Sequence, residues 1–152
     1  GAPVRPFVPG QDEVAWLEVN NRAFEWHPEQ GGWSETTLLR REQEPWFNPD
    51  DLLLCEQDGR LAGFCWVKVD ESASPGAGEL YVLAVDPDFQ GAGLGRQLAL
   101  AGLHHVFGEL DKQRAFLYVD ATNKVALSLY DALGFELDHM DRAYVADIPP
   151  TD

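Results

Sequence analysis

Glycines stand at 91, 93 and 95 in the stretch VDPDFQGAGLGR, residues 85–96. They follow an apolar run and an Asp86-Pro87 turn, and a run with helical character comes after them. Glycine spaced this way lets successive backbone N–H groups point outward with no side chain in the way. A helix N-terminus just behind adds partial positive charge. Together they form an anion site, usually for phosphate. Two common phosphate binders do not match. The dinucleotide fingerprint Gly-x-Gly-x-x-Gly would put its third glycine on Arg96, and the nucleotide phosphate loop needs Gly-Lys-Ser/Thr, which the chain lacks. Two other side chains could move protons. Glu79 opens an apolar strand, where a carboxylate is costly unless it serves or pairs. Tyr130 lies two helical turns past Asn123, roughly 10 Å along the axis on the same face. From pattern alone, Glu79 is a solvated strand-end acid and Tyr130 a core aromatic.

The elements that must hold these groups are legible from periodicity. PVRPFVP is a short, Pro-bounded edge strand, and residues 11–24 carry Val14, Trp16, Leu17 and Phe24 at helical spacing. HPEQGGW (27–33) is a polar loop, and Ser34 is placed to cap a helix over ETTLLRREQ. Residues 51–68 read as a hairpin turning at Asp58-Gly59. In that register Cys55 faces Ala62 and Cys65 has the opposite parity. The two thiols are therefore expected on opposite sheet faces, unbridged and reduced, as in the cytoplasm. Residues 71–78 read as a loop and 79–85 as a central strand, with Glu79, Tyr81 and Leu83 in one alternation class. Leu94, Leu98, Leu103, Val106 and Phe107 make the following helix apolar nearly all round, which implies burial. A strand follows at 114–120. Asn123 can cap a helix with Ala126, Leu129, Tyr130 and Leu133 on one stripe, and Gly134 stops it. FELDHM and RAYVAD close as a final hairpin. The order β-α-α-β-β-β-α-β-α-β-β predicts an α+β fold with a mixed sheet.

Bulk composition narrows the function. The 152 residues suit one domain with its own core. With 26 acidic against 11 basic residues the formal charge is -15, which argues against nucleic acid and suits a cationic acceptor such as an amine. No apolar run reaches membrane-spanning length. His27, His104, His105 and His139 show no ligand spacing, so no metal is expected, and no Gly-x-Ser-x-Gly elbow exists for a hydrolase.

QGAGLG (90–95) is a Gln-x-x-Gly-x-Gly pattern on a strand-to-helix turn. It resembles the pyrophosphate-binding motif of the GNAT (Gcn5-related N-acetyltransferase) family. NKVALSLYDALGF (123–135) is similar to that family's Asn-x-x-Ala-x-x-x-Tyr-x-x-x-Gly-Phe helix. Two motifs in order, about a strand and a helix apart, are specific, and the likeness covers essentially the whole chain. NRAFEWHPEQGGW, WFNPDDLLL, GFCWVKV, GELYVLAVDP and LYVDATN narrow it to the C-terminal catalytic domain of mycothiol synthases. That family acetylates the cysteinyl amine of cysteinyl-glucosaminyl-inositol. Its members usually carry two tandem domains of this kind, so residues 1–152 are either one excised domain or a single-domain relative, with a missing N-terminal domain or a second copy as partner. Asp120-Ala121-Thr122 stand where the family tends to have a Glu and an Asp before the Asn.

The resemblance implies a mostly antiparallel mixed sheet flanked by helices, acetyl-CoA as donor and a small-molecule amine as acceptor. It also implies roles. The N–H groups of Gln90, Gly91, Ala92, Gly93, Leu94, Gly95 and Arg96 would take the CoA pyrophosphate. Leu83, Ala84 and Val85 would pair with the pantetheine arm as an added strand, helped by Asn123, Lys124 and Ala126. Glu79 would be the general base, directly or through water, and Tyr130 the acid for the departing thiolate. Glu29, Lys68 and Tyr118, with Glu79, would face the acceptor. Trp33 and Trp46 could flank a sugar, although lone aromatics are more often packing. The rival readings are acetylation of another small amine and a non-catalytic CoA-binding domain, which would need neither Glu79 nor Tyr130.

Overall fold

The computed structural model describes residues 3–25, 30–119, 123–138 and 143–146. One seven-stranded sheet organises them. The edge strand β1 (Arg5–Pro6) leads to helices α1 (Glu13–Ala23) and α2 (Glu35–Glu42). Ser34 starts α2 through a reciprocal capping box with Thr37. A hairpin follows, β2 (Leu52–Gln57) and β3 (Arg60–Lys68). Its two turn residues, Asp58 and Gly59, both have positive φ (53° and 75°), the geometry that matches strand twist. The central strand β4 (Ala77–Val85) runs through the glycine turn into α3 (Leu94–His104), which ends in a wider π-helical turn over His105–Glu109. Then come β5 (Arg114–Leu117), α4 (Lys124–Ala132), β6 (Glu136–Asp138) and β7 (Ala143–Ala146). The strand order is β1-β2-β3-β4-β5-β7-β6, and β4–β5 is the parallel pair. The predicted element order and α+β class are those observed. The strand expected from Glu79 begins two residues earlier, because Ala77 and Gly78 pair with Arg114 and Ala115 of β5, and Gly78 packs against Val106 with no room for a Cβ.

Two cores sandwich the sheet. On the α1/α2 face Trp16, Trp33, Phe64 and Trp66 form an aromatic cluster, and on the α3 face Cys65, Leu98, Leu103 and Tyr130 pack together. The predicted stripe of α1 is shifted. Val14 is 71% exposed, whereas Trp16, Val19 and Asn20 are buried.

Two bulges decide which side chain faces which core. Between β2 and β3 the register slips at Cys55/Glu56, so Cys55 pairs with Gly63 rather than Ala62. Gly63 is required there, since a Cβ would lie 2.7 Å from the Ala84 carbonyl oxygen. The slip reverses the expected parity. Cys55 and Cys65 point to the same α3-side core, both free and buried. A second slip falls between β3 and β4, where Trp66 pairs with Val82 but Val67 pairs with Leu80. Tyr81 is the extra residue, and neighbouring side chains no longer alternate across it. Tyr81 and Val82 belong to the α1/α2 core and Leu80 and Leu83 to the α3 core. The expected class of Glu79, Tyr81 and Leu83 is therefore broken. Glu79 and Leu83 lie on opposite faces.

β4 pairs with β5 only from Ala77 to Glu79, then runs six residues further to Val85. The two strands part beyond Glu79, and that opening is where the site forms. Among the described residues no helix is long and apolar enough to cross a membrane.

Candidate active site

The glycine turn is anchored before it begins. Asp86, 1% exposed, accepts from the Asp88 N–H at 2.9 Å and from Arg22 at 3.1 Å, and its own N–H donates to the Ala62 carbonyl. Arg22 and Arg60 also reach Asp88, at 3.3 and 3.1 Å. Both arginines are thereby committed to holding the turn. The Gln90 side-chain amide donates back to the Val85 carbonyl at 3.3 Å. Gly91 and Gly93 adopt φ of 90° and 78°, a region other residues rarely enter. Gly95 differs, because a Cβ there would meet only Val85 at an ordinary 3.9 Å. Its glycine is not needed by the fold. Space at Gly95, the start of α3 at Leu94 with no side-chain cap, and exposed Arg96 together fit an incoming pyrophosphate.

These groups open into a cleft of about 710 Å³ between the parted strands. Of the predicted donor-binding residues, all but Ala92 and Lys124 line it. Asn123 does so with its side-chain oxygen already accepting from the Ala126 N–H at 3.1 Å, which caps α4. Tyr130 reaches the cleft wall from α4, 9% exposed and edge-on to Phe135. Burial, with a smaller contribution from Cys65, pushes its phenol well above the usual tyrosine range. It holds its proton throughout the working range.

A second cavity of about 270 Å³ contains Lys68, Glu79 and Tyr118 together, joined by Asp70, Ser74 and Phe116. Tyr118 lines both cavities, so the two meet where β4 leaves β5. Lys68 and Glu79 are direct partners across β3 and β4. Burial raises the Glu79 carboxyl above the ordinary glutamate range, and the charge of Lys68 partly opposes it. Among the described residues the Glu79 carboxylate makes no hydrogen bond or ion pair. The wall opposite is stiff. Asp70 accepts from Ser72 and Ala73, and Glu71 accepts from Gly76 and pairs with Lys112. Asp70 and Ser74 escaped the sequence reading. The Asp-x-Ser turn was visible in DESASPG, but not which cavity the loop would wall. Trp33 packs in the core, and half-buried Trp46 lies against Trp66 and Tyr81. Glu29, His27, Asp120-Ala121-Thr122 and His139 lie outside the described residues. Among those described, no three or more histidine, cysteine or acid side chains come together as a metal site.

Known proteins with the same pattern can be set beside this geometry. The profile of the acetyltransferase (GNAT) family matches residues 16–135. A mycothiol acetyltransferase of Acidimicrobium ferrooxidans is 55% identical over 97% of the chain and 47% of its own length, and one of Thermomonospora curvata is 50% identical over 98% and 49%. The chain thus spans about half the length of these curated relatives. Among solved structures, the ribosomal-protein-S18-alanine N-acetyltransferase of Escherichia coli superposes with TM-score 0.73, at 25% identity over 99% of this chain and 94% of that one. PaiA N-acetyltransferase of Thermoplasma acidophilum, in complex with coenzyme A, gives 0.69 at 21% identity over 94% and 95%. A family member from Brucella melitensis, in complex with acetyl-CoA, gives 0.67 at 22% over 99% and 92%.

Proposed function

The chain belongs to the acetyltransferase (GNAT) family, and from that premise we propose that it transfers acetyl from acetyl-CoA to the cysteinyl amine of cysteinyl-glucosaminyl-inositol. The observation that carries this reading is the meeting of two unlike cavities at Tyr118. One leads to the glycine turn, and the other holds a partly buried acid beside a lysine. The coenzyme A and acetyl-CoA complexes of the structural neighbours support the donor. The names of the curated relatives support the acceptor. Their greater length supports a second domain as partner, and two free buried thiols suit a cytoplasmic setting.

Bound acetyl-CoA supplies the activated thioester. The chain supplies position and proton traffic. N–H groups of the glycine turn and of the first turn of α3, with Arg96, hold the pyrophosphate. Beyond the β5 pairing, Leu83 to Val85 offer their backbone to the pantetheine arm as one strand offers it to another, and an N–H at Leu83 polarises the thioester carbonyl. Lys68 and Tyr118 orient the polar acceptor. A cysteinyl amine has a pKa near about 7.7, so much of it arrives protonated at neutral pH. Glu79, whose burial makes it a stronger base than an ordinary glutamate, removes that proton. Tyr130 donates to the departing sulfur.

An acceptor panel tests the assignment. The chain is given acetyl-CoA with cysteinyl-glucosaminyl-inositol, spermidine or an alanine-terminated peptide, and products are read by mass spectrometry. Preferred acetylation of the first is expected. Preference for spermidine or the peptide replaces the acceptor, and CoA binding with no transfer to any of them marks a binding domain.

A further inference from the structure

Lys68 does not sit where its charge would first send it. It is the cross-strand partner of Glu79, yet among the described residues it forms no ion pair with that carboxylate. Its ammonium lies instead over two aromatic rings, 4.7 Å from the centroid of Trp46 and 5.3 Å from that of Tyr81. Both distances are within reach of a cation–π attraction. The rings are themselves fixed. Trp46 and Tyr81 meet edge-on at 5.3 Å, and each packs on the fully buried Trp66. Arg41 reaches from α2 to donate its Nε–H to the Tyr81 hydroxyl at 3.2 Å, while its guanidinium lies over Trp33. Tyr81 lies two residues past Glu79 and therefore on its face, and the β3–β4 bulge begins only beyond it, turning Val82 to that same face.

We propose that Trp46 and Tyr81 are positioning residues that seat the Lys68 ammonium on their rings and keep it out of a closed ion pair with Glu79. The carboxylate stays open to the acceptor amine, and the lysine stays presented to the same cavity. This rests on the reading of Glu79 as the base. The charged and titratable groups around Glu79 are Lys68 from β3, Asp70 from the following loop and Tyr118 beyond β5, with Tyr81 on its own strand and Arg41 behind that ring. Without the seat, the nearest carboxylate across the ladder is Glu79. A lysine in contact with it would favour the ionised form and weaken the base.

The test needs no substrate. The Glu79 side-chain carboxyl is titrated by carbon NMR in the 152-residue chain and its variants. Trp46→Leu should lower the midpoint by about 1 pH unit, a tenfold change in proton affinity. Lys68→Met should raise it, and adding Trp46→Leu to Lys68→Met should then change nothing. Trp46→Phe, which keeps a ring, should stay near the parent. If Trp46→Leu fails to fold, Trp46→Met carries the same expectation. An unmoved midpoint in the ring-less variant, or an equal fall without Lys68, overturns the proposal. The reading of Glu79 as base fails separately, if Glu79→Gln retains its rate.

Discussion

At the scale of single residues, the two proposed proton carriers differ in what their surroundings do. Burial strengthens Glu79 as a base and locks the proton on Tyr130. A phenol of raised pKa is always loaded as a donor. Tyr130→Phe removes only the hydroxyl and keeps the ring against Phe135. The expected result is a fall in kcat of about tenfold or more, with CoA affinity unchanged by calorimetry. High pH should not restore the rate, because alkali supplies no acid. Neither role was legible from pattern alone, which read Glu79 as a solvated strand end and Tyr130 as a stripe residue. Tyr130 is both, a member of the α3-side core and of the cleft wall. Asp70 and Ser74 were not legible at all, since a loop residue's neighbours are set by the strands that carry the loop.

At the scale of elements, the order of helices and strands followed from capping and turn residues that act locally. Ser34, Asn123 and Asp58-Gly59 do in the structure what their chemistry predicts. Facing was less legible. Parity was extrapolated through two hairpin ladders, and one extra residue in each reversed it. Alternation fails at a bulge, and a bulge reports packing from elsewhere, here the approach of Ala84 and Leu98 to Gly63. The glycine turn separates fold from ligand in a testable way. Gly95 is the second residue of α3 and has room for a Cβ. Gly95→Ala should leave thermal stability equal or slightly higher, because the site has room for a methyl group and alanine's advantage over glycine, about 1 kcal/mol in a helix interior, is smaller in the first turn. The same methyl group should obstruct the pyrophosphate and weaken CoA by about tenfold, or about 1.4 kcal/mol. Calorimetry beside a melting curve checks both. Equal affinity would place the cofactor elsewhere.

At the scale of the whole molecule, charge and burial meet in the packing of α1 on α2. Glu42, in the last turn of α2, is pushed up to about 7 by burial and by its hydrogen bond and charge contact with Glu13 at the start of α1. The folded chain therefore holds this proton more tightly than the unfolded chain. The stability it contributes is full below the ordinary glutamate range and is lost as pH rises to about 7. Glu42→Gln should raise the melting temperature at about pH 8 and leave it nearly unchanged at about pH 4, read by thermal scans at both. Catalysis runs with the opposite sign. As the proposed base, Glu79 would act only when ionised, so the rate should fall as pH drops through a pKa lying above the ordinary glutamate value. The pH–rate profile of Glu79→Gln with acetyl-CoA and cysteinyl-glucosaminyl-inositol tests the account most directly. A drop in kcat of about 10²-fold at neutral pH is predicted, partly recovered as solvent deprotonates the amine above about pH 7.7. A variant that keeps the wild-type kcat at neutral pH would contradict it and leave Glu79 a structural strand-end acid.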